Sequence, residues 1–212
     1  MAQAPCTSSP SPAEVSQTLF LPGAGGSAAF WRPVATHMHL DGRFLAWPGL
    51  GDEPSRPDVN GIEDLVAIVL DALEGPSDLV AQSMGGLVAV KVALAAPEKV
   101  RRLVLAVTSG GVPVADLGGS DWRGDYYAAY PAAARWIGEA REDLSARLRE
   151  IACPTLLLWG DRDPISPVAV GERLLALLPD ARLHVIAGGD HDLAITHAQT
   201  VAGLITRHFE EN

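Results

Sequence analysis

Residues 79–86 read Leu79-Val80-Ala81-Gln82-Ser83-Met84-Gly85-Gly86. A short apolar run meets a serine, and a helical pattern starts directly behind it, with Leu87, Val88, Val90, Val92 and Leu94 ahead of Pro97. A serine on so tight a strand-to-helix turn is pushed into strained backbone geometry with its hydroxyl exposed above the sheet. Small residues two before and two after let the two backbones pass closely. Those positions hold Ala81 and Gly85. The N-terminus of the following helix favours negative charge developing beside it. A helix N-cap is the competing use of the same serine.

Working outward, short apolar runs at 18–21, 43–47, 78–82, 101–107, 155–159 and 182–186 alternate with amphipathic stretches. Most of these runs are continuously apolar, as in Leu103-Val104-Leu105-Ala106-Val107, the pattern of parallel strands covered by helices on both faces. Ile62, Leu65, Val66, Val69 and Leu73 recur at helical spacing before Gly75-Pro76. Residues 168–178 repeat the pattern before Pro179-Asp180, and a last helix is expected over about 194–209. The fold class is α/β, a mostly parallel, doubly wound sheet of about six strands. One segment breaks the alternation. Residues 110–119 are glycine-rich and loop-like, the stretch holding Trp122, Tyr126, Tyr127, Tyr130, Trp136 and Ile137 reads as helical, and a helix is expected over 142–151. This gives a flexible leader over 1–16 and one domain over 17–212, with a small cap at about 112–150.

With 212 residues, of which 48% are hydrophobic and 20% charged, the chain suits one well-buried core. Its formal charge of -10 repels phosphate backbones and anionic lipid, which argues against nucleic-acid and membrane partners. No apolar window is long enough to span a bilayer, and the leader lacks the basic and apolar regions of a signal peptide. Cys6 and Cys153 form neither a disulfide framework nor a zinc spacing, and Cys153 reads as a packed core thiol. A reduced, soluble, cytoplasmic protein is expected, monomeric or a homodimer.

A nucleophilic serine needs a base, and the base needs an orienting carboxylate. Leu158-Trp159-Gly160-Asp161-Arg162-Asp163-Pro164 sets two carboxylates just past one buried strand, and Gly188-Gly189-Asp190-His191-Asp192 follows the last strand. Ser83, Asp163 and His191 therefore all fall at carboxyl ends of strands, where open α/β sheets place their ligand crevice. Singly, Asp163 reads as well as a turn residue and His191 as an exposed loop histidine. Jointly, and in this order, coincidence is remote. Leu21-Pro22-Gly23-Ala24-Gly25-Gly26 follows the first strand and can turn backbone N–H groups toward an oxyanion. The donors would be Ala24 and Met84. A phosphate loop is disfavoured, since neither Gly-Lys-Ser/Thr nor an acidic ribose partner follows. His37-x-His39 lacks a convergent carboxylate or cysteine and reads as a surface pair at a helix end. His184 falls in a strand, and His197 and His208 in the last helix.

In this order these elements resemble the α/β-hydrolase superfamily, from about residue 17 to the end. Phe20-Leu21-Pro22-Gly23-Ala24-Gly25-Gly26 looks like its oxyanion loop, Pro48-Gly49-Leu50-Gly51 like the stretch after its next strand, and Ala81 to Gly86 like its nucleophile elbow. Gly160-Asp161-Arg162-Asp163 looks like its acid loop, where the family pattern selects Asp163 over Asp161, and Gly189-Asp190-His191 like its histidine loop. Pro22-Gly23 stands where the family usually has His-Gly, Ala81 replaces the first elbow glycine, and six strands are visible against the usual eight. The resemblance implies a serine hydrolase acting on a small carboxylic ester or lactone through Ser83, His191 and Asp163, with no metal or organic cofactor. It leaves open a thioesterase or carbon–carbon hydrolase on the same triad, or a small-molecule receptor with little turnover. Trp31, Trp122, Tyr126, Tyr127 and Tyr130, with Met84, are the expected walls of the substrate pocket.

Overall fold

A computed structural model describes residues 17–211, so the leader and Cys6 lie outside the described residues. Along the chain come β1 (Thr18–Leu21), α1 (Arg32–Met38), β2 (Arg43–Phe44), α2 (Ile62–Ala72), β3 (Ser77–Gln82), α3 (Met84–Ala95) and β4 (Val100–Ala106). The remainder is α4 (Arg123–Ala129), α5 (Trp136–Glu139), β5 (Thr155–Gly160), α6 (Val168–Leu177), β6 (Ala181–Ile186), α7 (Leu193–Thr196) and α8 (Ala198–Glu211). The strands form one sheet in the order β2-β1-β3-β4-β5-β6, with every adjacent pair parallel.

Every residue of β1, β3 and β5 is buried, as the continuous apolar runs require of strands covered on both faces. β6, at the sheet edge, is largely exposed. α3, buried nearly all round, carries a single charge, Lys91, whose ammonium binds Glu142 at 2.7 and 2.8 Å and also pairs with Glu63. From β1 the chain steps outward to β2 and then crosses back to β3, so the loops leaving β1 and β3 diverge at a switch point. That geometry opens a crevice over the carboxyl ends of the two strands.

Four expectations need correction. The second strand is two residues long, not five. Leu45 N–H still donates to Phe20 O of β1 at 3.0 Å, but the backbone N–H of Trp47 donates to Gly26 O at 2.9 Å and its indole to Pro22 O at 2.7 Å, which draws the chain off the sheet to brace the loop after β1. The helix expected at 142–151 is reduced to a 3-10 turn, Leu148–Glu150. Glu142 is held by Lys91, Asp143 caps Ser145 N–H at 3.0 Å, and Leu144 N–H donates to Gly111 O at 2.7 Å. The aromatic stretch forms two short helices, parted where Tyr130 precedes Pro131 and is kept out of helical geometry. The last helix breaks at His197, whose Nδ1 lies 2.9 Å from the Thr196 hydroxyl, so His197 sits between α7 and α8.

At the amino end of the sheet, opposite the crevice, Asp78 is buried and bonded to Arg101, with Arg102 at 3.5 Å. His208 of α8 is buried there too. Burial first, and then the charge of Arg102, pull its imidazole below the usual 6.5. A base whose folded pKa is depressed binds fewer protons folded than unfolded, so its contribution to stability is present above the unfolded pKa and is lost as pH falls. Between about pH 7 and 5 the Tm of the wild type is expected to fall more steeply than that of His208→Gln. Parallel Tm–pH curves would show that His208 does not report the transition.

Candidate active site

Ser83 adopts φ 52° and ψ -123°, a left-handed conformation that a side chain tolerates only under constraint from its surroundings. The constraint comes from both flanks. Ser83 N–H donates to Ala106 O at 2.9 Å, and Ser83 O accepts from Gly86 N–H at 2.9 Å and from the Thr108 hydroxyl. Close passage sets the residue choice at 85, because a Cβ on Gly85 would stand 2.3 Å from Pro22 O. The methyl of Ala81, by contrast, is fully buried within β3. No side-chain cap bond forms at Ser83, so its hydroxyl is not spent on the helix behind it.

That hydroxyl lies 2.9 Å from His191 Nε2, and His191 Nδ1 lies 2.8 Å from Asp163 Oδ2. The Asp163 carboxylate is fully buried, whereas His191 keeps 19% of its side chain exposed. Asp163 Oδ1 accepts the N–H groups of Ile165 and Ser166 at 2.8 and 3.0 Å, which fixes the rotation of the carboxylate. Gln82, buried next to Ser83, donates from Nε2 to His191 O at 3.1 Å and ties the histidine loop to the elbow. Such a chain can pass the serine proton to Nε2 while a negative charge steadies the imidazolium from the far side.

The loop after β1 lies against the elbow, since a Cβ on Gly23 would stand 3.0 Å from Ser83 Cβ. Ala24 is half-exposed on that loop. Met84 opens α3, so its N–H has no acceptor within the helix.

The expected pocket residues divide. Trp31 is 1% exposed, donates its indole N–H to Leu21 O at 2.9 Å and packs against Phe20 and Phe30, so it belongs to the core beneath the loop rather than to a pocket. Tyr126 is also buried, and both capacities of its hydroxyl go to backbone groups. Tyr127 is bonded inside the cap, to Arg135 O at 3.0 Å and Gly138 N–H at 3.1 Å. Trp122 and Tyr130 are half-buried, and a Cβ on Gly25 would stand 3.9 Å from the Tyr130 hydroxyl.

Asp161, the carboxylate not selected as the acid, is exposed yet accepts Gly188 N–H at 2.6 Å, and Arg162 N–H donates to Gly189 O at 2.9 Å. The acid and histidine loops are thus clasped together. The signal was present as a second carboxylate two residues before Asp163, but a loop-to-loop bond has no sequence period to reveal it. Cys153 is half-buried, and burial pushes its thiol up to about 11, which leaves it protonated and inert. His37 and His39 are exposed at the end of α1. Among the described residues no group of three or more His, Cys, Asp or Glu is placed to hold a metal ion, and no helix is long and apolar enough to cross a membrane.

Known proteins share this framework. RutD of Variovorax paradoxus, named as a carbamate hydrolase, is 29% identical over 88% of this chain and 89% of its own length. A pimeloyl-[acyl-carrier protein] methyl ester esterase of Neisseria meningitidis serogroup B is 30% identical over 74% and 78%. A 2-hydroxy-6-oxononadienedioate/2-hydroxy-6-oxononatrienedioate hydrolase of Burkholderia vietnamiensis is 29% identical over 84% and 80%. The crystal structure of a hydrolase from Pseudomonas aeruginosa PA01 superposes with a TM-score of 0.72 at 23% identity, covering 93% of this chain and 91% of the other, a likeness of fold. The model of the alpha/beta hydrolase family matches residues 18–204, which take in the loop after β1, the turn at Ser83 and both loops that carry Asp163 and His191. On the strength of that match, the chain belongs to the alpha/beta hydrolase family.

Proposed function

We propose that the protein is a serine hydrolase that cleaves a small carboxylic ester or lactone through an acyl-enzyme. The reading is carried by the continuous chain of hydrogen bonds from Ser83 Oγ through His191 to Asp163, at 2.9 and 2.8 Å, with the hydroxyl on a strained turn at the mouth of the crevice. His191 Nε2 takes the serine proton as Oγ attacks the carbonyl carbon. Asp163 keeps the imidazole in the tautomer whose Nε2 lone pair faces the serine and balances the imidazolium. The carbonyl oxygen becomes an oxyanion, received by the N–H groups of Ala24 and Met84. Collapse expels the alkoxide, which leaves with the proton held on His191. Water, deprotonated by the same histidine, then attacks the acyl carbon and frees Ser83.

The half-buried side chains of Met84, Trp122 and Tyr130 supply the apolar surface for substrate. The short cap, which carries Trp122 and Tyr130, argues against a bulky lipid as substrate. Relatives of nearly equal identity are named as a methyl ester esterase, a carbamate hydrolase and a 2-hydroxy-6-oxononadienedioate/2-hydroxy-6-oxononatrienedioate hydrolase. The bond cleaved must therefore be read from turnover.

Intact mass after treatment with a fluorophosphonate, followed by a panel of short-chain esters and lactones, tests the proposal. One adduct on the wild type and turnover of at least one ester or lactone are expected. A folded wild type that gains no adduct would sink the hydrolase reading and leave that of a small-molecule receptor. An adduct with no ester or lactone turnover would overturn the substrate class.

A further inference from the structure

Resting on the reading of Ala24 as an oxyanion donor, we propose that Tyr126 is a positioning residue through which the cap holds the oxyanion loop in its working conformation. The Tyr126 hydroxyl donates to Ala24 O at 2.8 Å and accepts Gly51 N–H at 3.0 Å. A single phenol on α4 thus joins two loops at the carboxyl ends of β1 and β2. Those loops already touch so closely that a Cβ on Gly51, which sits at φ +56°, would stand 2.0 Å from Gly25 O. Trp47 N–H donates to Gly26 O at 2.9 Å, and Gly26 N–H closes a turn onto Gly23 O at 3.0 Å, so both flanks of Ala24 are tied down. Ala24 N–H shares its peptide plane with Gly23 O, which Gly26 N–H holds, whereas Ala24 O lies on the next plane, toward Gly25. The Tyr126 hydroxyl holds that second plane, so rotation about Ala24 Cα is limited from both sides and the N–H that must face the oxyanion keeps its direction.

Local packing suits Tyr126 to this role and not to substrate contact. Its ring is buried among Trp122, Tyr127 and Tyr130, with centroids 5.4, 5.2 and 5.2 Å away. Its proton is committed to Ala24 O, and burial raises the phenol above its usual pKa, which keeps that proton in place. Oxyanion donors act on the transition state and not on the bound substrate. Loosening Ala24 therefore lowers kcat and leaves KM alone.

Tyr126→Phe keeps the ring and removes both bonds. With the best substrate of the ester panel, kcat is expected to fall roughly 10- to 100-fold, with KM within about twofold. The rate of phosphonylation and the affinity for a trifluoromethyl ketone, whose adduct places an oxyanion in the same position, should fall in parallel. Tyr127→Phe serves as the comparison, because it removes a like pair of backbone bonds that stay within the cap. Equal losses in the two variants would reduce Tyr126 to general cap stability and overturn the proposal. So would a raised KM with unchanged kcat, which marks a pocket wall.

Should Tyr126→Phe fail to fold, 3,5-difluorotyrosine at position 126 preserves both bonds and ionises at lower pH. Loss of its proton removes the donor to Ala24, so kcat should drop on the alkaline side, where the wild type is flat. A flat profile would overturn the assignment. Failure of the serine-hydrolase reading would appear on the wild type itself, as absent phosphonylation, and would take this inference with it. An active wild type matched by Tyr126→Phe would sink this inference alone.

Discussion

Ser83→Ala is expected to lower ester turnover by roughly four to six orders of magnitude, with KM little changed. The substitution deletes one oxygen, the atom that lies 2.9 Å from His191 Nε2. The strained turn is held by bonds from Ser83 N–H and to Ser83 O, which alanine retains. The variant should therefore fold with nearly the wild-type Tm, so lost turnover reports chemistry and not unfolding. Without Oγ, no acyl-enzyme can form and His191 has no proton to take. What survives is the stabilisation that the oxyanion donors give to direct attack by water, roughly 10³-fold over the uncatalysed rate in triad enzymes. For the same reason His191→Ala should cost about as much, and the double variant little more, because a triad fails as a unit. A loss below tenfold in a folded Ser83→Ala would place the nucleophile elsewhere. Surviving phosphonylation would do the same.

The sheet was legible because its signal is local and redundant. A buried parallel strand is a continuous apolar run, and Leu79-Val80-Ala81 and Leu156-Leu157-Leu158 have no other economical reading. The serine and the carboxylate each follow such a strand and the histidine follows the exposed edge strand β6, so strand order alone carries them to one end of the sheet. Backbone bonds between segments distant in sequence were not legible. Leu144 N–H is claimed by Gly111 O, which dissolves a helix that local periodicity favours. Trp47 is claimed by Gly26 and Pro22, which shortens a strand. Aromatic side chains failed for a related reason. Composition gives Trp31 and Tyr126 the look of pocket walls, yet a ring lines a pocket or a core according to where its polar tip finds a partner. For both, that partner is a backbone group of the first strand or its following loop, Leu21 O for Trp31 and Ala24 O for Tyr126. The two carboxylates of the acid loop are the instructive middle case. Pattern separated them, but only the hydrogen bonds say what each one does.

Those bonds make opposite forecasts for two isosteric changes. At position 163 the buried Oδ1 accepts two backbone N–H groups, from Ile165 and Ser166, while Oδ2 faces His191 Nδ1. Asparagine there must keep its oxygen on the two donors, because turning its NH2 toward them would set donor against donor in a buried site. The NH2 then points at Nδ1, and Nδ1 must accept. The imidazole proton moves to Nε2, the atom that has to receive the proton of Ser83. Asp163→Asn should therefore lower kcat by about four orders of magnitude with its fold intact by circular dichroism. Asp161 is exposed and accepts one N–H, from Gly188. An asparagine oxygen can accept the same bond, so Asp161→Asn loses only its charge and should keep kcat within about threefold. Equal losses in the two folded variants would take the orienting role away from Asp163. A large loss confined to Asp161→Asn would hand that role to the clasp between the acid and histidine loops.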